Sequence, residues 1–499
     1  MSEILPVLWT PDELIRILQG VWLVRPGNSW KPLGLRAMLP ERRNPPYSPN
    51  YINIIFNQRQ LDKAREQLSG RNGGGALVLN ASLASATDLS WSKVPIFLLP
   101  PQSLPIANLA VAARARFSGR IVAVVGSVGK TTTRRLISSI LEAKGRVATN
   151  IGNWNFQPHV FEQLSSIDPN TDYYVAELGL GQKNVSIAST VQILRPHVVV
   201  FTHLGVSHVD MISHSEDLDN SEVLAQVLAL KGQAFTGLNR FGTAIINADM
   251  PLAAEAIKMA RRHTPNVITY GEATNASCQI LSYESTPDGG NVAFLDGKQR
   301  VETPLRMRGK AISQNVLAAW SVAKFFHFKP DEILPEMSNW DGIKGRSKLL
   351  KLEIEGAQVS ILDDSFNATP LSVVTCLSTI AETARTTGAT RTIAVLGDIL
   401  HVGPDSDRIH ADLAGNIISN NIDLVFTRGD HMLNLHNALP ENKRGAHCST
   451  NDELVQRILP ILRNGDILAV KASTPLRFRE IVASFQEAAK LRLNIADTL

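Results

Sequence analysis

Gly126-Ser127-Val128-Gly129-Lys130-Thr131-Thr132 is the stretch of this chain whose residue types and spacing point most directly to chemistry. Glycines let backbone N–H groups close on phosphate oxygens. A lysine just after the last glycine reaches the β- and γ-phosphates, and the hydroxyl beside it can ligate Mg²⁺. The full pattern, G-x-x-x-x-G-K-[ST], has a glycine where Val124 stands, and the first glycine here is Gly126. An ordinary strand-to-helix turn carrying Gly-Lys-Thr is the alternative. The flanks favour phosphate binding. Ile121–Val125 reads as a short buried strand, and Leu136, Ile137, Ile140 and Leu141 repeat along one face of a following helix. Gly126, Ser127, Gly129, Lys130, Thr131 and Thr132 are therefore expected to hold ATP.

Further candidates stand at the ends of other apolar runs. Tyr173–Gly179 is a strand ending in the acid Glu177, and His197–Thr202 is a strand running on to His208. Strands alternating with helices imply a parallel sheet, whose ligands collect at the carboxyl ends of its strands. A Mg²⁺ ion beside nucleotide phosphates takes a few protein ligands and keeps some water. Thr131, Glu177 and His208 are the expected set. Lys231 lies inside a predicted helix, Ser221–Phe235. By residue type alone it reads as a solvated surface lysine.

The elements that must position these residues suggest an α/β chain of three domains. Residues 1–118 read as a small α/β domain: a helix start at Thr10-Pro11-Asp12-Glu13, a Pro-, Arg- and Asn-rich loop over 24–50, a strand Tyr51–Phe56, a helix Gln58–Leu68, strands near Ala76–Leu79 and Pro95–Leu99, and a helix Ile106–Phe117. In that loop Arg36, Arg42 and Arg43 could meet a phosphorylated substrate, though charge runs usually face water. Residues 119–342 carry the phosphate loop and a parallel sheet, with a β-hairpin over 275–305 and a helix Asn315–Phe326; the last boundary falls in a loop-like mixture at 328–346. Residues 343–499 form a doubly wound, Rossmann-like domain. Its four strands, Val359–Leu362, Arg391–Leu396, Ile422–Phe426 and Asp466–Val470, each run into polar residues at a ligand edge.

Composition excludes less. A net charge of +4 spread over 499 residues gives no reason to expect nucleic acid. Cys278, Cys376 and Cys448 are too far apart for a metal or redox motif and suit a reducing cytosol. No apolar run approaches the roughly 18 residues of a membrane span, so a cytoplasmic protein without membrane insertion is expected.

Taken together, the motifs resemble the Mur ligase family, ATP-dependent amide ligases that build the peptidoglycan stem peptide. The resemblance runs from about residue 121 to the C-terminus. It rests on the shortened G-[ST]-x-G-K-T loop and on GNWNFQP (152–158), VAELG (175–179), SHVD (207–210), LDDSFNATP (362–370), VLGDILHVG (395–403) and VKAS (470–473). Within the family these segments look most like the branch that adds D-alanyl-D-alanine to a UDP-N-acetylmuramoyl tripeptide. The resemblance implies that a substrate carboxylate is activated by ATP as an acyl phosphate and joined to an amine, with release of ADP and phosphate.

Residue roles follow from the same resemblance. Lys130, Lys231 and His208 would serve catalysis, and Glu177 and His208 would hold Mg²⁺. Lys231 would carry a CO₂-derived carbamate that helps place a second Mg²⁺ ion. Asn315 and Arg346 would contact the nucleotide. Asp364, Asn367, Lys471 and Ser473 would face the amine substrate. Three features depart from the family. His203 replaces a usual Asn, and Gly309–Asn315 lacks the His and first Asn of G-x-H-N-x-x-N. Residues 1–118 lack the serine and the G-D-x-F-x-A-x-x-G-like stretch that grip a UDP-sugar. Two acceptors therefore stay open, a UDP-muramoyl peptide or a different carboxylate in a specialised metabolite or polymer. A non-catalytic nucleotide-binding scaffold and a mechanical or signalling phosphate-loop NTPase are the readings of other classes.

Overall fold

The computed structural model describes residues 8–37, 46–152, 154–180, 186–205 and 220–496. Among these residues the strands form three sheets, of five, nine and six strands. By packing, the chain divides into two compact units. The first comprises Met1–Val124, Lys144–Val199 and Gln233–Gly242, and the second Val125–Ala143, Val200–Gly232 and Thr243–Leu499.

The five-stranded sheet belongs to the first unit. Its strands are β1 (Val21–Val24), β2 (Leu35–Arg36), β3 (Ile52–Ile55), β4 (Ala76–Asn80) and β5 (Ile96–Leu99), in the order β1-β5-β4-β3-β2. β2 to β5 run parallel, and β1 is an antiparallel edge. The helix before it starts as Thr10 and Glu13 predict, with a reciprocal capping box and Pro11 in the first turn. The loop expected over 24–50 contains β2. Arg36 is buried rather than solvated: its guanidinium lies 3.8 Å over the Tyr51 ring and 3.8 Å from the Glu162 carboxylate. Buried charges persist only where such partners exist. Arg42 and Arg43 lie outside the described residues.

The nine-stranded sheet contains β6 (Arg120–Val125), β7 (Val147–Thr149), β8 (Tyr173–Glu177), β9 (Val198–Phe201), β10 (Thr243–Asn247), β11 (Asn266–Gly271), β12 (Cys278–Thr286), β13 (Gly289–Asp296) and β14 (Gln299–Leu305). Their order is β14-β13-β12-β11-β10-β9-β6-β8-β7. The hairpin expected over 275–305 is the β12–β13 pair, extended by a third antiparallel strand, β14. Ile121–Val125 is fully buried, as an apolar run inside a parallel sheet should be. Each such side chain contributes about 1.5–3 kcal/mol on burial.

The six-stranded sheet has strands β15 (Lys348–Ile354), β16 (Ala357–Asp363), β17 (Arg391–Gly397), β18 (Leu424–Arg428), β19 (Arg444–Cys448) and β20 (Asp466–Lys471), in the order β15-β16-β20-β17-β18-β19. It is parallel except for β15, with apolar layers on both faces. Edge strands β15 and β19 were not among the four expected. Within 328–346 the structure has a helix, Pro330–Asn339, where loop was expected; Pro330 opens it, and Pro335 lies inside it. Among the described residues no helix is long and apolar enough to cross a membrane.

Candidate nucleotide and ligase site

The glycine loop is held by hydrogen bonds to the segment Thr202–Gly205. Gly126 has φ +142°, and a Cβ there would stand 2.1 Å from Thr202 Oγ1. Gly129 has φ +85°, and a Cβ would meet Asn315 Oδ1 at 2.8 Å. Both positions need glycine for conformation and for room. The Ser127 N–H donates to the His203 carbonyl at 2.6 Å, and its hydroxyl to Gly205 O at 2.8 Å. The Thr202 hydroxyl donates to Val128 O at 2.6 Å. These bonds hold the loop open above the helix Lys130–Glu142, whose N-terminus has no side-chain cap. The Lys130 ammonium lies 3.3 Å from Ser127 O, over the loop it is expected to serve.

In the second unit this loop forms one wall of a cavity of about 410 Å³. Val128, Gly129 and Thr132 line that wall, and Thr202, His203, Tyr270 and Glu272 the next. The helix Ala311–Phe325 contributes Gln314 and Asn315. Asn315 Oδ1 accepts the Thr133 hydroxyl at 2.9 Å, which ties this helix to the phosphate-loop helix. Arg346, Asp364 and Lys471 also line the cavity. Arg346 donates to the Thr131 hydroxyl at 3.4 Å and stacks its guanidinium 4.3 Å over Phe366. The Lys471 ammonium lies 2.6 Å from the Asp364 carboxylate and 2.9 Å from Asn367 O. Asn367 Oδ1 accepts the Thr474 hydroxyl and N–H at 3.2 and 3.3 Å. Ser473 Oγ accepts the Leu400 N–H at 2.9 Å. Asp364 and Lys471 thus face the cavity, with Asn367 and Ser473 bracing the turns behind them.

Three further residues were expected at the site. Glu177 belongs to the first unit, where it is buried at the end of β8; its carboxylate accepts Asn155 Nδ2 at 2.8 Å, and Asn150 brackets its backbone at 2.7 and 3.2 Å. Lys231 is 1% exposed in the second unit, so the surface position expected from residue type is corrected. His208 lies outside the described residues. Among the described residues, no group of three or more His, Cys, Asp or Glu is gathered around a common point. The donors present suit an ion that takes most of its ligands from phosphate and water. The uncapped helix start and the two glycines that no Cβ could replace fit a polyphosphate.

Several cavity residues escaped the sequence reading. Tyr270 lies next to the last residue of β11, a strand that was not recognised, and its hydroxyl donates to Phe201 O and Thr202 O at 3.2 and 3.3 Å. Gln314 accepts from Asn247 Nδ2 at 2.5 Å and donates to the Asp249 carboxylate at 2.9 Å. That carboxylate also accepts the N–H groups of Glu272 and Ala273 at 2.6 and 2.9 Å. Lys310 pairs with Glu272 at 2.7 Å. Burial pushes the His203 imidazole below its usual pKa, against the pull of Asp249. The available signal was the rule that ligands gather beyond strand ends, which Tyr270-Gly271-Glu272 obeys.

Two family models match the chain. The Mur ligase middle domain is matched over residues 124–323, and the Mur ligase, glutamate ligase domain over residues 345–474. The chain is 26% identical over 460 residues to the UDP-N-acetylmuramoyl-tripeptide--D-alanyl-D-alanine ligase of Bacillus subtilis, covering 89% of this chain and 95% of that protein. In fold it is similar to MurF from Acinetobacter baumannii, with a TM-score of 0.76 at 19% identity over 96% of this chain and 99% of the other. It is also similar to the MurF ligase of Thermotoga maritima in complex with ADP, with a TM-score of 0.69 at 18% identity over 92% of this chain and 99% of the other.

Proposed function

The chain belongs to the Mur ligase family, and from that premise we propose that it joins a D-alanyl-D-alanine-type dipeptide to the carboxylate of a UDP-muramoyl tripeptide at the expense of ATP. One observation carries the reading. The phosphate loop and the Asp364–Lys471 pair line a single cavity. A scaffold needs only the loop, and a mechanical NTPase has no use for the pair.

In this reading ATP lies with its phosphates over Gly126–Gly129 and its base end toward Tyr270, Glu272 and Gln314. The acceptor carboxylate attacks the γ-phosphorus; an acyl phosphate forms and ADP leaves. The amine then attacks the acyl carbon, loses its proton, and inorganic phosphate departs. Both steps crowd negative oxygens together, and Lys130 supplies fixed positive charge where they meet. Thr131, Glu177 and His208 would hold Mg²⁺, which when bound neutralises further phosphate charge. Lys231 would bear a carbamate formed with CO₂, turning a buried cation into an anionic ligand. Arg346 and Asn315 position the nucleotide. Asp364 and Lys471 receive the amine, and Asn367 and Ser473 brace the turns that present them. The domains are assigned as residues 1–118 for the acceptor, 119–342 for ATP and 343–499 for the amine.

The test is phosphate release from ATP and Mg²⁺ with UDP-N-acetylmuramoyl tripeptide and D-alanyl-D-alanine together, against each alone. Release should require both, and Lys130→Ala should lower it by about 10²–10³-fold. Release independent of the amine would overturn the ligase reading. Release only with another carboxylate would move the enzyme to a different acceptor.

A further inference from the structure

A buried histidine in the C-terminal sheet has no role in the reaction so far. His410, in the helix Ser406–Ser419, is fully buried. Its Nε2 accepts the Ile399 N–H at 2.9 Å, so the ring proton sits on Nδ1, which donates to Ser406 O at 2.6 Å. The ring stacks on His431 with centroids 5.4 Å apart, and His431 Nδ1 meets the Asp407 carboxylate at 2.6 Å. Burial holds the His410 imidazole below its usual pKa, against the opposing pull of the Ser406 carbonyl and Asp398. The neutral ring keeps its acceptor.

Ile399 lies in the turn Asp398–Leu400, where the chain leaves β17. Each N–H of this turn is held. Asp398 donates to Arg428 O at 3.2 Å, Ile399 to His410, and Leu400 to Ser473 Oγ at 2.9 Å. In return the Ser473 N–H donates to Asp398 O at 3.1 Å. The Asp398 carboxylate accepts the Met432 N–H at 2.8 Å. β17 and β20 are paired neighbours, so these bonds lock the turns at their carboxyl ends together. Lys471, the last residue of β20, faces the cavity. Without the His410 acceptor the Ile399 N–H would be left buried and unpaired, and the turn would gain by shifting toward another partner.

We propose that His410 is a positioning residue for the amine substrate: by holding Ile399, it sets the Asp398–Leu400 turn that places Ser473 and Lys471. This rests on the reading that the Asp364–Ser473 corner receives the amine. His410 itself touches no substrate.

The test compares variants of the whole enzyme. His410→Gln can offer its amide oxygen to Ile399, whereas His410→Asn keeps a donor near Nδ1 but is too short to reach Ile399. In the Asn variant the KM for D-alanyl-D-alanine should rise about tenfold with the KM for ATP unchanged, and in the Gln variant it should stay within about twofold of wild type. His410→Met fills the ring's volume without the acceptor and repeats the Asn arm if that variant fails to fold. Amide hydrogen exchange gives a readout that needs no turnover: Ile399 and Leu400 should lose protection with Asn or Met and keep it with Gln. An unchanged dipeptide KM in the Asn and Met variants would overturn the proposal, as would equal rises for dipeptide and ATP. If wild-type enzyme does not turn over this substrate pair, the reading of these two substrates has failed and exchange alone decides; unaltered protection then refutes the role of His410.

Discussion

Lys231 gives the site its sharpest residue-scale question. A lysine amine at 1% exposure is costly to keep charged, so its burial calls for a compensating interaction or a chemical change. Lys231→Met retains the length and the apolar stem and removes the nitrogen. If the amine or its carbamate serves catalysis, phosphate release should fall by about a hundredfold, while the thermal midpoint moves by only about 4 °C. Added acetate should restore part of the rate to the smaller Lys231→Ala, since a free carboxylate can stand where the carbamate would. Wild-type turnover in the Met variant would make Lys231 a packing residue. The burial of this lysine was not legible in its residue type. Helix position says where a side chain starts, and only tertiary packing says that it is covered. Tyr270 and Gln314 escaped for the same reason, because a cavity wall is assembled from strand and helix ends distant in sequence.

At the scale of elements, the buried parallel strands were readable because burial on both faces leaves a continuous apolar run, as in Ile121–Val125. The edges were not. β2 is a strand of two residues inside a Pro- and Arg-rich stretch, and β19 reads Arg-Gly-Ala-His-Cys with little apolar signal. The helix Pro330–Asn339 hides behind Pro335. One junction carries a prediction of its own. The His197 N–H donates to Ile121 O at 2.8 Å, and His197 Nδ1 accepts the Ile121 N–H at 3.0 Å, just before β9 begins. Burial, with Arg120 and Arg114 nearby, pushes the His197 pKa down from 6.5 to about 4, and burial does the same to His159. The unfolded chain therefore binds protons first as pH falls below 6.5. Stability is full above that value and is lost progressively toward pH 4. The urea midpoint should drop between pH 7 and pH 4. His197→Asn, whose side-chain oxygen can still accept from Ile121 without titrating, should show a shallower slope. Parallel slopes for the two proteins would remove His197 from the acid response.

At the scale of the whole molecule, the first unit explains why acceptor choice and nucleotide use should be separable. The N-terminal sheet is tied to the helix Gln157–Ser165 and its C-cap: Trp9 Nε1 donates to Ser165 O at 2.9 Å, the Leu35 N–H to Ser166 Oγ at 2.8 Å, and Arg36 pairs with Glu162. A replacement of residues 1–118 must keep Trp9 and Arg36, because Glu162 buried without its partner would cost about 3–5 kcal/mol. Among the described residues, all those that line the proposed nucleotide cavity belong to the second unit, and none falls within 1–118. With the N-terminal sheet of a relative grafted in this way, the KM for ATP should stay within about twofold, as for independent sites, while the preference among carboxylate acceptors moves toward that of the donor. The two constants, measured on one chimera against a panel of acceptors, separate the possibilities. A changed acceptor preference at constant ATP KM assigns residues 1–118 to the acceptor. A change in nucleotide KM of the same size would mean that the N-terminal sheet acts on the phosphate loop, and the division of labour among the domains would have to be redrawn.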